Sequence, residues 1–210
     1  MQLIGMLDSP YVRRVAVSLQ MLGLPFEHHS VSVFRAFAQF ERINPVVKAP
    51  TLVCDDGTVL MDSNLILTYA EALARPRSLM PAATPDLQHE LRLLGLALAA
   101  CEKCVQIFYE RSVRPPEKQH APWTDRVTAQ ARAAYGALEQ ELAQKPLATG
   151  RGQMGQAAVT AAVVWQFTQE VVPGVATAAL HPQLAALSAA AEALPEFLAA
   201  PHGDSIYRGT

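Results

Sequence analysis

The amino-acid sequence predicts a mixed α/β unit over residues 1–75 and an all-helical domain over residues 86–210. The first part shows short β-type runs alternating with helical hydrophobic periods, in the order β-α-β-α-β-β-α. The second part shows helical periodicity almost throughout. Residues 76–85 are polar and interrupted by prolines, which predicts an interdomain linker.

The first strand and helix are predicted from local signals. Residues 2–7 predict a short strand, and Ser9 followed by Pro10 predicts the start of a helix. Ser is a preferred N-cap and Pro is favoured at the first helical position. Apolar residues then recur at helical spacing, which predicts that Arg13 and Arg14 lie on the other side of the helix.

The remaining elements of the α/β unit follow in order. Residues 26–33 predict a second strand, which pairs in parallel with the first through a right-handed crossover. Residues 34–43 predict a short helix. Residues 50–54 and 58–61 flank an Asp-Gly pair and predict a β-hairpin, and residues 62–75 predict a further helix.

The second domain is predicted to contain four long helices separated by prolines. They are expected at about residues 86–113, 123–144, 154–171 and 182–199. The third helix is apolar on every side, which predicts that it is the central buried helix.

Composition excludes several functional classes. The 210 residues carry a formal net charge of −2 and neither part is basic, so we expect no nucleic-acid partner. Three cysteines and six histidines form no framework of disulfides or metal ligands, and Cys101 and Cys104 are predicted to be buried helix cysteines. The first residues lack a basic region, and no apolar run approaches the ~20 residues of a membrane helix, so we expect a cytoplasmic protein without a membrane partner.

Three motifs in this order and spacing resemble the cytosolic glutathione S-transferase superfamily, nearest to bacterial members with Ser in the first loop. They are residues 9–15 (SPYVRRV), residues 44–52 (NPVVKAPTL) and the pair Asp62-Ser63. The resemblance covers nearly the whole chain. It implies a thioredoxin-like N-terminal domain that binds glutathione and a helical C-terminal domain that contributes the pocket for an electrophile.

The sequence departs from the family pattern at three places. Ala49 stands where the family usually has Val, and Val47 stands where it usually has Gly. The capping box Ser/Thr-x-x-Asp of the buried helix should fall at residues 153–156 but is absent. Such a cap is worth ~0.5–2 kcal/mol, so we expect a weakened cap there.

The resemblance also assigns roles to residues of the first domain. From the residues alone Ser9 is a helix cap, whereas the resemblance makes its hydroxyl the donor that stabilises the glutathione thiolate; Tyr11 is a rival hydroxyl. The resemblance implies a cis peptide bond before Pro50. Asp62 and Ser63, at a helix N-terminus, are expected to hold the γ-glutamyl group. The glutathione-binding candidates are Ser9, Arg35, Lys48, Ala49, Pro50, Asp62 and Ser63, with Arg35 and Lys48 as alternatives for the glycyl carboxylate.

The predicted function is transfer of the glutathione thiolate to a small hydrophobic electrophile by a homodimeric enzyme without a metal. Candidates for the electrophile pocket are Tyr11, Gln106, Tyr109, Glu110 and Trp165. One alternative is a non-catalytic binding or interaction module of the same fold. Another is a glutathione-dependent thiol reductase or peroxidase, although a reductase would require Cys in place of Ser9.

Overall fold

The first 79 residues form a four-stranded sheet flanked by helices in the computed structural model, which describes residues 1–207. The predicted order β-α-β-α-β-β-α is confirmed. The elements are β1 (Gln2–Ile4), α1 (Pro10–Leu22), β2 (Glu27–His29), α2 (Phe37–Ile43), β3 (Thr51–Val53), β4 (Val59–Met61) and α3 (Ser63–Ala74).

The sheet has the strand order β2-β1-β3-β4. β1 pairs in parallel with β2, and the other two pairings are antiparallel, with Leu3 opposite both His28 and Leu52. Leu3 and Leu52 are fully buried. The next residue of β1, Ile4, points to the other face, since side chains alternate along a strand, and it packs there with Val31 and Phe40.

Three of these elements are several residues shorter than predicted. β1 ends at Ile4, whereas the sequence predicts a strand to residue 7. β2 ends at His29, and α2 begins only at Phe37. The hydroxyl of Ser32 accepts hydrogen bonds from the backbone N–H groups of Phe34 and Arg35, at 3.2 and 3.0 Å. This side-chain turn replaces the end of the predicted strand and the first turn of the predicted helix.

The hairpin turn is built as its Asp-Gly pair predicts. Asp56 accepts from the N–H of Thr58 at 2.9 Å, and Gly57 has a φ of 85°, which only glycine adopts readily.

The second unit spans Met80–Glu192, and within the described residues all of its regular secondary structure is helical. Its elements are α4 (Thr84–Phe108), a π-helical turn (Tyr109–Val113), a 3-10 turn (Pro116–Lys118), α5 (Ala121–Gln144), α6 (Gln156–Val171) and α7 (Pro182–Glu192). α6 is buried on nearly every side, which confirms its predicted central position. Cys101 and Cys104 are fully buried in α4 and form no disulfide.

Two carboxylates of this unit cap neighbouring helices, and one of them, Glu90, is buried. Glu90 of α4 accepts from the N–H of Ala157 at 2.6 Å, in the first turn of α6. Glu139 of α5 accepts from the N–H groups of Gln183 and Leu184 in α7, at 2.8 and 3.0 Å. The missing capping box of α6 is therefore replaced by a side chain from a different helix.

The last predicted helix is divided, and its end belongs to the first unit. Leu194 has an extended backbone, as expected for a residue that precedes proline, so α7 stops and the short α8 (Pro195–Leu198) begins afresh. Residues 193–207 group with Met1–Leu79 rather than with the helical unit to which the sequence assigns residues 86–210.

Candidate functional site in the first unit

Ser9 stands at the N-terminus of α1, half-buried. Its Oγ accepts from the N–H of Val12 at 3.5 Å, and its own N–H donates to Met6 O at 3.2 Å. A hydroxyl that accepts with its oxygen keeps its proton for a second partner. Ser9 can therefore cap the helix and donate to an anion at the same time.

Asp62 and Ser63 open α3 next to α1. Asp62 caps the helix through the N–H of Asn64 at 2.9 Å, and its φ of 69° is in the left-handed region. Such a backbone conformation in a non-glycine residue costs free energy and is frequent at ligand sites. Ser63 is only 3% exposed, and its Oγ accepts from Arg14 Nη1 at 3.0 Å, which leaves its own proton for a carboxylate.

Arg14 is a site residue that the sequence reasoning missed. The prediction that Arg13 and Arg14 lie away from the core is wrong, because each side chain is 1% exposed. Arg14 also donates to Asn64 Oδ1 at 2.8 Å, so one buried guanidinium orients the first two residues of α3. A run of helical residues with two consecutive arginines contains no signal for this, since charged residues usually mark the solvent face.

The segment before β3 contains the other predicted residues. The Ala49–Pro50 peptide bond is cis, as the resemblance implies. Lys48 Nζ lies 3.5 Å from Asp62 Oδ2. The preceding turn is held by buried Asn44, which donates to Thr51 Oγ1 at 2.8 Å, and it places Val47 at a φ of 52°, where the family's Gly has no steric cost.

Gly5, at the end of β1, is the second residue that the sequence reasoning missed. A Cβ on Gly5 would lie 2.6 Å from Val12 Cγ2 and 3.2 Å from Ala49 Cβ, and the φ of Gly5 is 134°. Only glycine fits between the start of α1 and the cis-proline segment. This absence of a side chain allows the two segments to approach each other.

These contacts link three predicted parts of the site. Gly5 brings the start of α1 against Ala49, Lys48 joins the same segment to Asp62, and Arg14 joins α1 to Ser63. A helix N-terminus with a hydroxyl donor, an irregular backbone segment and a second helix N-terminus therefore lie together. Helix N-termini attract anions, so the arrangement suits a ligand with a thiolate and a carboxylate.

Arg35 lies in the turn that follows β2, close to the start of the Ser9 loop. Its guanidinium Nη2 lies 3.6 Å from Met6 Sδ and 3.2 Å from Asp204 Oδ2. In the same loop, partial desolvation raises the pKa of the Asp8 carboxyl, while His202 and the backbone N–H of Ser9 oppose this shift. The side chains of His202 and Asp204, near the end of the described residues, thus both interact electrostatically with Asp8 of this loop.

The five predicted pocket residues are distributed over both units. Tyr11 is half-buried in the first turn of α1. Tyr109 is 46% exposed at the π-helical turn, and Gln106 donates to Glu102 at 2.8 Å on the surface of α4.

Two of the predicted pocket side chains are used by the helical unit itself. Glu110 is buried and accepts from Arg114 at 2.8 Å and from the N–H of His120 at 2.6 Å, and these bonds hold its pKa below the usual value. Trp165 is 4% exposed and packs against Tyr135 and His181. The structure thus places Glu110 in a helix-terminal bond network and Trp165 in the core, with no lining role shown for either.

Among the residues described, no cluster of three or more His, Cys, Asp or Glu side chains could hold a metal ion. In residues 1–207, no helix combines the length and the apolar character that crossing a membrane requires.

Comparison with known proteins bears on the family and the fold of the chain. Residues 3–78 match the family model of the glutathione S-transferase N-terminal domain. A glutathione transferase family member from Pseudomonas fluorescens Pf-5, solved with bound glutathione, is 30% identical with a TM-score of 0.82, and the alignment covers 95% of this chain and 97% of that one. A glutathione S-transferase from Methylobacterium radiotolerans, solved with glutathione sulfonate, is 27% identical with a TM-score of 0.84, over 94% of this chain and 92% of that one.

A further relative aligns with most of this chain. The uncharacterized GST-like protein YibF of Escherichia coli is 25% identical over 174 residues, which are 83% of this chain and 86% of that protein. A thioredoxin-like unit with a cis-proline segment, followed by a helical unit, defines a glutathione transferase fold. The chain belongs to the cytosolic glutathione S-transferase superfamily.

Proposed function

We propose that this protein binds glutathione in the first unit and transfers its thiolate to a small hydrophobic electrophile. The observation that carries the proposal is the ring of contacts that brings Ser9, the Ala49–Pro50 segment and Asp62-Ser63 together. The two solved relatives, with glutathione and glutathione sulfonate bound, support the choice of ligand.

Each part of glutathione has a partner in this arrangement. The γ-glutamyl carboxylate is placed at the N-terminus of α3, where Ser63 donates its hydroxyl proton and nearby N–H groups face the anion. Asp62 pairs with the α-ammonium group. The backbone of Ala49 binds the cysteinyl part, so the absence of a valine side chain there does not impair binding.

Ser9 performs the chemical work of the proposal. A cysteine-like thiol has a pKa near 8.5, and lowering it to about 6.5 requires about 2.7 kcal/mol of stabilisation of the anion. The N-terminus of α1 contributes ~0.3–2 kcal/mol, and a hydrogen bond from the Ser9 hydroxyl to the thiolate contributes ~1.5–3 kcal/mol. Together they reach the required stabilisation.

The transfer step needs no further cofactor. With an aryl chloride as the electrophile, the thiolate sulfur attacks the carbon that bears the chlorine, and a C–S bond forms. Chloride leaves with the electron pair of the C–Cl bond, and the thiol proton has already passed to solvent. Residues of the helical unit are proposed to supply the pocket for the aryl group.

The exposed apolar side chains of α3 and β4 support the proposal of a homodimer. Val59, Met61, Leu65 and Leu73 are all exposed on this part of the first unit. The proposed dimer packs this surface on the helical domain of the second subunit.

Retention on immobilised glutathione tests the binding proposal. We expect the protein to be retained and to be released by free glutathione. Flow-through would instead favour a non-catalytic module of the same fold.

Ser9→Ala tests the chemical proposal. We expect the pKa of the bound thiol, followed by its thiolate absorbance, to rise by about one unit or more, which corresponds to about 1.36 kcal/mol per unit. Conjugation at pH 6.5 should fall ~5-fold or more, because the thiolate fraction falls from about one half to about one tenth, while the affinity for glutathione is nearly kept. Ser78→Ala is a matched control, because Ser78 is a surface serine of the same unit that donates to Glu71 at 2.6 Å.

Two outcomes would contradict this role. If wild type and Ser9→Ala titrate at the same pH, Ser9 is only a helix cap and Tyr11 becomes the next candidate donor. With glutathione disulfide as the partner, the thiolate of a Ser9→Cys variant should attack one sulfur, form a mixed disulfide and release one glutathione thiolate. If Ser9→Cys keeps full conjugation and forms no mixed disulfide with glutathione disulfide, the position does not face the sulfur.

A further inference from the structure

Residues 200–207 lie along the first unit, which they contact at the start and at the end of this stretch. We call residues 200–207 the C-terminal segment. At its start, Arg13 Nε donates to Ala200 O at 2.8 Å. At its end, the ring of Tyr207 stacks on Phe26, with the ring centroids 4.5 Å apart.

His28 of β2 connects this segment to the loop that carries Ser9. Its Nε2 lies 2.7 Å from Gly5 O, and its Nδ1 lies 3.0 Å from Tyr207 N. A carbonyl oxygen only accepts and a backbone N–H only donates. The two contacts therefore require a neutral ring with the proton on Nε2, since a proton on Nδ1 would face the N–H of Tyr207.

The segment also places charged groups beside the site. Asp204 Oδ2 lies 3.2 Å from Arg35 Nη2, and Asp204 O accepts from Ser30 Oγ at 3.3 Å. The charge of His202 opposes the rise in the pKa of the Asp8 carboxyl, and Asp8 directly precedes Ser9. While the segment is bound, Arg35 is engaged by a carboxylate of the same chain.

We propose that His28 is a positioning residue whose neutral form holds the C-terminal segment against the Ser9 loop, and whose protonation releases the segment and frees Arg35 from Asp204. For the effect on glutathione this rests on the proposed function, with Arg35 as a partner of the glycyl carboxylate. The release of the segment does not depend on that function.

The sign of the pH dependence follows from the surroundings of His28. Burial lowers the pKa of His28 below its ordinary 6.5, and the neighbouring His29 lowers it further, while the Gly5 carbonyl opposes the shift. A base with a lowered pKa contributes stability that is complete above 6.5 and is lost as the pH falls through the pKa of the folded state. The segment is therefore bound at neutral pH and released in acid.

The charged groups near His28 do not reverse this sign. Glu27 lies 3.5 Å from the ring of His29 and is largely exposed. On the side of the segment, Asp204 and Arg35 form a pair with each other. The phenol of Tyr207 has its pKa raised by burial and stays neutral in this range.

Nitrogen NMR of the full chain between pH 8 and pH 5 tests the release of the segment. We expect the His28 ring to be the Nε2–H tautomer at pH 8, and the Tyr207 amide signal to shift with the same midpoint as His28, below pH 6.5. A Tyr207 amide that stays unchanged while His28 titrates, or a ring with the proton on Nδ1, would overturn the proposal.

Three variants separate positioning from general stability. His28→Gln offers one N–H donor and one oxygen acceptor without titrating, so the Tyr207 signal should keep its bound position at every pH. His28→Leu should give the released position at every pH. His29→Gln should keep the transition of the Tyr207 signal, because His29 makes neither contact, but should move its midpoint upward, since the neighbouring His29 lowers the pKa of His28. A Tyr207 signal with the same pH dependence in wild type and in His28→Leu would also refute the proposal.

Kinetics with Asp204→Asn test the link to glutathione. At pH 7.5 the KM for glutathione should fall about two- to fivefold, the range expected for an exposed ion pair, while kcat stays unchanged. If wild type binds no glutathione, the proposed function fails, yet the NMR experiment still decides whether His28 holds the segment. If wild type binds glutathione and Asp204→Asn leaves KM unchanged, the effect on Arg35 is refuted.

Discussion

The cap that Glu90 supplies to α6 gives a sharp test of how this helical unit is held together. Glu90 is 5% exposed, and its carboxylate lies 2.6 Å from the N–H of Ala157. No side chain caps α6 from its own N-cap residue, Gly155. Glu90→Ala removes this acceptor and leaves the N–H of Ala157 buried without it.

The magnitude follows from the two effects. Loss of a cap costs ~0.5–2 kcal/mol, and a buried donor without an acceptor costs ~1–3 kcal/mol. Because both describe the same bond, we expect about 2 kcal/mol in total. For a chain of this size that loss lowers Tm by about 4–8 °C.

Chemical unfolding followed by circular dichroism measures the loss. Glu90→Gln is the informative second variant, since its amide oxygen can accept from Ala157 without a charge. Glu102→Ala is the control, because Glu102 is an exposed glutamate of the same helix that pairs with Lys103 on the surface. We expect less than about 1 kcal/mol for the control.

The pH dependence distinguishes the charge of Glu90 from its hydrogen bond. Burial raises the pKa of Glu90 above its usual 4.5, although the N–H of Ala157 and the nearby His89 oppose this shift. An acid with a raised pKa contributes stability below 4.5 that is lost as the pH rises through the pKa of the folded state. The free energy of unfolding of Glu90→Gln should therefore rise relative to that of wild type as the pH increases from acid to neutral. Equal losses for Glu90→Ala and Glu102→Ala would refute the reasoning.

Two further predictions concern the proposed site and assembly. Asp62→Ala should weaken glutathione binding by roughly 1–3 kcal/mol in calorimetry, because one partner of a charged hydrogen bond is removed; an affinity equal to that of Asp56→Ala, a turn variant in the hairpin, would leave Asp62 as a helix cap. Light scattering at micromolar concentration should give about twice the chain mass of 22.7 kDa, and a mass equal to one chain would contradict the homodimer.

Elements with complete local signals were predictable from the sequence. α1 begins after Ser9 and ends at Gly23, whose φ of 73° is the left-handed stop expected of glycine. The hairpin and the order of elements follow from similarly local patterns. Predictions failed where one side chain redirects the backbone, as the Ser32 hydroxyl does before α2.

Contacts between residues distant in sequence account for the missed parts of the site. The hydrogen bond of Arg14 to Ser63 joins residues 49 positions apart, and that of Arg13 to Ala200 joins residues 187 apart. Helical periodicity assigned both arginines to the solvent face, and this assignment holds only for a helix with one side in water.

α1 is enclosed by α3 on the side of Arg14 and by the C-terminal segment on the side of Arg13. The guanidinium of Arg13 also lies 5.6 Å from the ring of Phe197. A buried guanidinium needs acceptors for its donors, and here the start of α3 and the backbone at Ala200 supply them. The hydrogen bonds of these two buried arginines therefore fix α1, and with it Ser9, against the start of α3 and against the backbone at Ala200.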